Sequence, residues 1–162
     1  WASTHYTLLD LRNLCISKNN QLIIRSIKNI LQNERASDGG ILPIGKDKLS
    51  DYCINGMFLN YASYFKTNEN DLRPVVDCLL NDIMPDGGFN CRSNRFKTVH
   101  SSLHTTLSVL EGLTEYEING YTYRGADVEK AIATSKEFIL AHQLNISDRT
   151  GEIIDKRFLQ FS

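Results

Sequence analysis

The sequence predicts an all-α protein made of about three helical hairpins set side by side, and three observations predict it. A glycine turn, Asp38-Gly39-Gly40-Ile41, recurs 48 residues on as Asp86-Gly87-Gly88-Phe89, with a weaker echo at Thr150-Gly151-Glu152-Ile153. Each turn follows a stretch whose apolar residues are spaced by three and four, the mark of a helix with one buried stripe. Each such stretch is itself preceded by a helical segment poor in charge, as expected of a helix enclosed by neighbours.

In chain order, the first enclosed helix spans roughly Thr4 to Leu14 and contains His5-Tyr6-Thr7-Leu8-Leu9. Its outer partner carries Leu22, Ile23, Ile24, Ile27, Ile30 and Leu31. The second enclosed helix runs from Asp51 to Phe65 with Ser50 as its N-cap. Its partner carries Leu72, Val75, Val76, Leu79, Leu80 and Ile83. The third runs from Val99 to Tyr116 and is rich in small and hydroxyl residues: Ser101, Ser102, Thr105, Thr106, Ser108 and Gly112. Its partner carries Val128, Ala131, Ile132, Phe138 and Ile139. Between these last two helices, the insertion 117–125 holds Tyr121, Tyr123 and Arg124 and reads as a surface excursion before a loop overhanging a pocket. The glycine pairs supply the positive φ that ends a helix and turns the chain back. None of the three turns matches a P-loop or a dinucleotide fingerprint.

At 162 residues and 41% hydrophobic content, the chain supports one domain over 1–162 with its own core. Its 18 basic and 19 acidic residues are well mixed, so no nucleic-acid or membrane-surface partner is expected. The apolar runs are too short to span a bilayer, and no leader opens the chain, so a cytoplasmic location is expected. The start at Trp1 and the apolar ending Arg157-Phe158-Leu159-Gln160-Phe161-Ser162 lead us to expect a fragment of a longer chain. The four cysteines, Cys15, Cys53, Cys78 and Cys91, include no CxxC pair, which excludes a zinc ribbon or a thioredoxin-type motif. Cys15 and Cys78 read as buried structural thiols.

One constellation carries possible chemistry. Asp51 and Cys53 open the second enclosed helix, where the positive helix end favours thiolate. His100 and His104 share a face of the third. Carboxylate, thiolate and imidazole from neighbouring helices, with a fourth position open, follow the plan of a catalytic zinc site. The same residues also have plain structural uses: Asp51 as a cap, Cys53 as core filling, His104 as a satisfied polar group on an enclosed helix.

The segment Gly39-Gly40-Ile41 to Lys48-Leu49-Ser50-Asp51-Tyr52-Cys53 resembles the β subunits of protein prenyltransferases, where Gly-Gly is followed by a basic loop and Lys-Leu-x-Asp-x-Cys. The segment Gly87-Gly88-Phe89 to Leu103-His104-Thr105-Thr106-Leu107 resembles the same family's Gly-Gly-Phe and His-Thr stretch, with Cys53 and His104 separated by 51 residues. The resemblance covers residues 39–113 as motif and most of the chain as architecture. It implies an α/α toroid of the terpenoid cyclase and protein prenyltransferase superfamily. It also implies zinc held by Asp51, Cys53 and His104, activating an acceptor thiolate, and an isoprenoid diphosphate held by Lys48 with Lys46. Arg92 and Arg95 read as solvated loop charges before phosphate holders.

The departures are specific. The family has an aromatic residue after the zinc cysteine where this chain has Ile54, and the family arginine before the lysine falls near Gly45. The aromatic lining of the family's lipid cavity would have to come from Phe58, Tyr61, Tyr64 and Phe65. The squalene-cyclase branch is a second reading, but no Asp-x-Asp-Asp acid motif occurs and the turns end in Ile or Phe instead of Trp. Three hairpins make about half of the implied ring, so more of this chain, a second copy or a partner chain is expected to cover the inner face. Two functions are thus expected in competition. One is zinc-dependent transfer of an isoprenoid group; the other is a non-catalytic toroid holding a hydrophobic ligand or a protein partner.

Overall fold

The computed structural model describes residues 2–43, 49–91, 93–147 and 149–159. It is all-helical: six α-helices, α1 (Ala2–Asn13), α2 (Gln21–Asn33), α3 (Tyr52–Tyr64), α4 (Glu69–Leu80), α5 (Leu103–Ile118) and α6 (Gly125–Ala141), with a 3-10 turn at Lys156–Leu159. Among the described residues the only extended pairings are two isolated bridges, Arg35 to Ile41 and Ile146 to Ile153, which close the first and third glycine turns. No helix among these residues is long and apolar enough to cross a membrane.

All six helices lie where the sequence predicts them; α1 is shifted about two residues earlier, at Ala2–Asn13, and the starts of two enclosed helices differ for identifiable reasons. The third enclosed helix begins at Leu103 and not at Val99, because Ser102 takes the N-cap while its amide is held by the Phe89 carbonyl at 2.8 Å. The second begins one residue late. Ser50 is not its N-cap: the Ser50 amide and hydroxyl both donate to the Asp38 carboxylate, at 2.7 and 3.1 Å, and Asp51 takes the cap position without a side-chain bond.

α3 is the centre of the molecule, packed against α1, α4 and α5. Its residues 54–56 and 58–63 are buried around the whole circumference, which is why the segment carries no charge. α5 lies so close that a Cβ on Gly56 would stand 2.4 Å from the Ser108 carbonyl oxygen, and one on Gly112 would stand 2.4 Å from that of Gly56. These two glycines form the seam. Phe58, Leu59, Tyr61, Leu113 and Tyr116 fill the space beside it, and each such side chain contributes about 2–3 kcal/mol by leaving water. α6 packs on α5 and α4, and Ile23, Ile27 and Ile30 of α2 join the same core. α1 is tied in by His5, wholly buried, which meets Glu34 through Nε2 and the Tyr61 hydroxyl through Nδ1, both at 2.9 Å.

The insertion after α5 is a staple. The Tyr121 ring stacks on Tyr116 at 4.7 Å and its hydroxyl donates to the Thr67 carbonyl at 2.6 Å. The amides of Thr122 and Tyr123 donate to Glu69 at 2.7 and 2.9 Å, and Arg124 pairs with Asp77 at 3.0 Å. The excursion expected at the surface therefore binds the third hairpin to the outside of α4.

Candidate functional site

The glycine turns fix a repeating register. In the first, Gly39 has φ +87° and the Asp38 carboxylate holds Ser50, the residue before the α3 cap; in the second, Gly87 has φ +86° and the Asp86 carboxylate holds Ser101, the residue before the α5 cap. Inside the helices, Asn55 accepts the Ile41 amide at 2.7 Å and Thr106 accepts the Phe89 amide at 2.9 Å. Ser50 matches Ser101 and Asn55 matches Thr106, so Cys53 matches His104. Equivalent positions in successive hairpins point the same way round the row, each toward the turn that follows it.

The consequence for Cys53 is a thiol partner. Half-buried at the first turn of α3, its amide donates to Cys91 Sγ at 3.0 Å, which sets the two cysteines side by side. The Thr105 hydroxyl reaches Cys91 Sγ from α5 at 3.5 Å. These contacts, the Cys53 thiol first, bring Cys91 down to about 7 against the upward push of burial and of Asp51. Cys53 moves the other way, pushed up by its contact with Cys91, by burial and by the Asp51 charge. The helix end expected to acidify Cys53 thus acts through the Cys53 amide on Cys91, a loop residue. The Ser108 hydroxyl closes the cluster by donating to the Cys53 carbonyl at 2.8 Å.

Asp51 beside this pair is committed to Arg95, at 2.7 Å, and the same guanidinium also donates to the Leu49 carbonyl. Arg95, expected as a solvated charge, is an anchor that fixes the entry to α3. Asn94 adds a bond to the Ser50 carbonyl at 2.9 Å.

His104 points elsewhere. It lines a pocket of about 670 Å³ between the start of α5, the end of α6 and the third turn, together with His100, Leu103, Phe138, His142, Arg149, Ile154 and Asp155. Asp86 and Ser101, already bonded to each other, also line it, and Ser102 and Ser147 add hydroxyls. The His142 ring lies tilted at 42° to Phe138 with centroids 4.3 Å apart, and its Nδ1 contacts the Phe138 carbonyl at 2.8 Å, which fixes its orientation. The pocket therefore has an apolar wall and polar groups of both signs: three imidazoles, the Arg149 guanidinium, hydroxyls and the carboxylates of Asp86 and Asp155.

Asp51, Cys53 and His104 do not converge. Thr105, not His104, faces the sulfur pair, and among the described residues no group of three His, Cys, Asp or Glu side chains is placed to hold a metal ion. Lys46, Lys48 and Arg92 lie outside the described residues. Sequence reasoning passed over Cys91 and His142. The first was signalled by the repeat itself, since a residue just past a glycine turn meets the first turn of the preceding enclosed helix. The second had no signal beyond its place at the end of an outer helix. Comparison with protein-family models, with curated proteins and with solved structures finds no match to this chain.

Proposed function

We propose that this chain is a segment of an α/α-toroid protein that binds a small amphipathic anion, an apolar body with a phosphate head such as an isoprenoid diphosphate, in the pocket at the start of α5. One observation carries the reading: a pocket of about 670 Å³, within the usual range for small-molecule sites, with Leu103, Phe138 and Ile154 beside His100, His104, His142 and Arg149. The others described are about half that size, at 340, 330 and 320 Å³. The apolar wall suits a hydrocarbon chain, and the rim offers N–H donors to anionic oxygens. Of the two carboxylates in the lining, Asp86 and Asp155, Asp86 already accepts from the Ser101 amide at 2.8 Å and from the Ser101 hydroxyl.

Binding is favoured over zinc-dependent transfer because the sulfur and the imidazole that transfer requires face different spaces. The ring that the hairpins imply would be completed by more of the chain, by a second copy or by a partner, and that completion would shape the outer rim of the pocket.

Calorimetric titration with a farnesyl-type diphosphate, the matching alcohol and inorganic diphosphate tests the reading. The diphosphate ester should bind more tightly than either half alone, and His104→Ala with Arg149→Ala should weaken it by about tenfold, the worth of one charge-assisted bond. Equal affinity for the ester in wild type and double variant, or no binding of any of the three, overturns it.

A further inference from the structure

We propose that Cys91 and Cys53 form a hydroperoxide-reactive dithiol, in which Cys91 is the attacking sulfur and Cys53 the resolving one. The site is separate from the histidine-lined pocket and does not rest on its ligand. Its geometry is a built cradle for one sulfur. The Cys53 amide donates to Cys91 Sγ at 3.0 Å from the first turn of α3, and the Thr105 hydroxyl reaches it at 3.5 Å from α5, with the Cys53 side chain beside it. Those donors stabilise negative charge on Cys91, and thiolate is the nucleophilic form of cysteine. They come from two packed helices joined at the Gly56–Gly112 seam, so the cradle is held by the core and not by a loop.

The chemistry follows from which sulfur holds the proton. The Cys91 thiolate attacks an oxygen of a hydroperoxide; an S–O bond forms, the O–O bond breaks, and the leaving alkoxide or hydroxide takes a proton from solvent. Cys91 is then a sulfenic acid. The Cys53 sulfur attacks the Cys91 sulfur; an S–S bond forms, the S–O bond breaks, and hydroxide departs with the Cys53 proton as water. Two thiols lose two electrons and one hydroperoxide gains them, yielding a disulfide, an alcohol (or water) and water. An external dithiol returns the pair to its starting state. The disulfide would bind the turn after α4 to the first turn of α3.

The other two cysteines are internal controls. Cys15, expected as a buried structural thiol, is exposed just past the end of α1, whereas Cys78 is buried in α4 beside Ser50 as expected, with burial pushing its thiol up to about 11. Folded protein is treated with hydrogen peroxide near neutral pH, blocked with an alkylating agent and mapped by mass spectrometry. A Cys53–Cys91 linkage should form at least about fivefold faster than oxidation of Cys15, because the donors gathered on Cys91 favour its thiolate and the resolving thiol lies beside it. In Cys53→Ser, a sulfenic acid on Cys91 should be trapped by dimedone; in Cys91→Ser, Cys53 should stay reduced. The wild-type comparison needs no variant, so misfolding of either variant leaves the test intact. Oxidation of Cys91 no faster than Cys15, or a linkage to any other cysteine, overturns the proposal.

Discussion

The second and third hairpins share a frame and differ in what the frame presents. In the second, the turn Asp38-Gly39-Gly40 anchors Ser50, Asn55 receives the Ile41 amide, and Cys53 looks toward Cys91. In the third, Asp86-Gly87-Gly88 anchors Ser101, Thr106 receives the Phe89 amide, and His104 looks into the space before Ile154 and Asp155. The carboxylate-to-serine anchor and the buried acceptor of the turn amide recur in both; the side chain at the matched position and the residue it meets do not. Repeats of this kind fix direction, and chemistry comes from what the next turn supplies. That is why a thiol and an imidazole 51 residues apart serve two sites.

The severest way to break the comparison is to force the two hairpins apart. Gly112→Val places a side chain against the Gly56 carbonyl, where even a Cβ would stand at 2.4 Å, with backbone rather than a flexible tip in the way. A loss of about 3 kcal/mol or more is expected in chemical denaturation, with the Cys91 cradle disrupted alongside. A variant as stable as wild type would show that the seam is not closed.

Next in size, the matched acceptors should differ. Asn55 accepts the Ile41 amide and also donates to the Ser50 hydroxyl and the Asp51 carbonyl, so Asn55→Ala orphans several buried groups and should cost about 2–3 kcal/mol. Thr106→Val removes an acceptor for the Phe89 amide but keeps the shape, and about 1–2 kcal/mol is expected. Equilibrium unfolding of the two variants side by side checks the ranking, and equal losses would erase the distinction between the hairpins.

The sulfur cluster adds a smaller, pH-dependent contrast. The groups facing Cys91 are the Cys53 thiol and Asp51, whose charge is paired with Arg95. Because Cys91 is held down to about 7, its thiolate is present above that pH and lost below it. Alkylation of Cys91 should therefore rise through about pH 7, and Thr105→Val, by removing a donor, should move the midpoint upward. A midpoint in the ordinary thiol range for wild type would remove the cradle's effect.

The smallest effect lies on the staple. Glu69 is held below the usual carboxylate range, first by the Tyr123 amide and then by that of Thr122. A carboxyl lowered in the folded state stabilises above its unfolded value and loses that contribution as pH falls through the folded one. Hydrogen exchange at Thr122 and Tyr123, corrected for intrinsic rates, should accelerate in that acidic window, and Glu69→Gln should make the acceleration independent of pH there.

Much of this fold is legible in the sequence, and the reasons are local. Periodicity marks α2, α4 and α6; lack of charge marks α3, which is buried on all sides, while α5 is marked by its small and hydroxyl residues and carries Glu111, Glu115 and Glu117 in its second half. The starts are less legible: Ser50 looks like a cap until Asp38 is known to claim both its amide and its hydroxyl. The site is less legible still. Motif spacing places Asp51, Cys53 and His104 on the right helices, but spacing carries no direction. The direction was within reach, since aligning residues 50–56 with 101–107 puts Cys53 and His104 on one position of the repeat. The staple was out of reach, because the partners of Tyr121 and Tyr123 at Thr67 and Glu69 lie about 55 residues away and share no pattern with them.

The claim on which the rest stands is that Cys53 and His104 belong to separate sites. A double-mutant cycle of Cys53→Ser and His104→Ala, read as unfolding free energy, measures it directly. The two losses should add within about 0.5 kcal/mol, as for residues that share no partner. A coupling of more than about 1 kcal/mol would place the two side chains in one site and contradict the account.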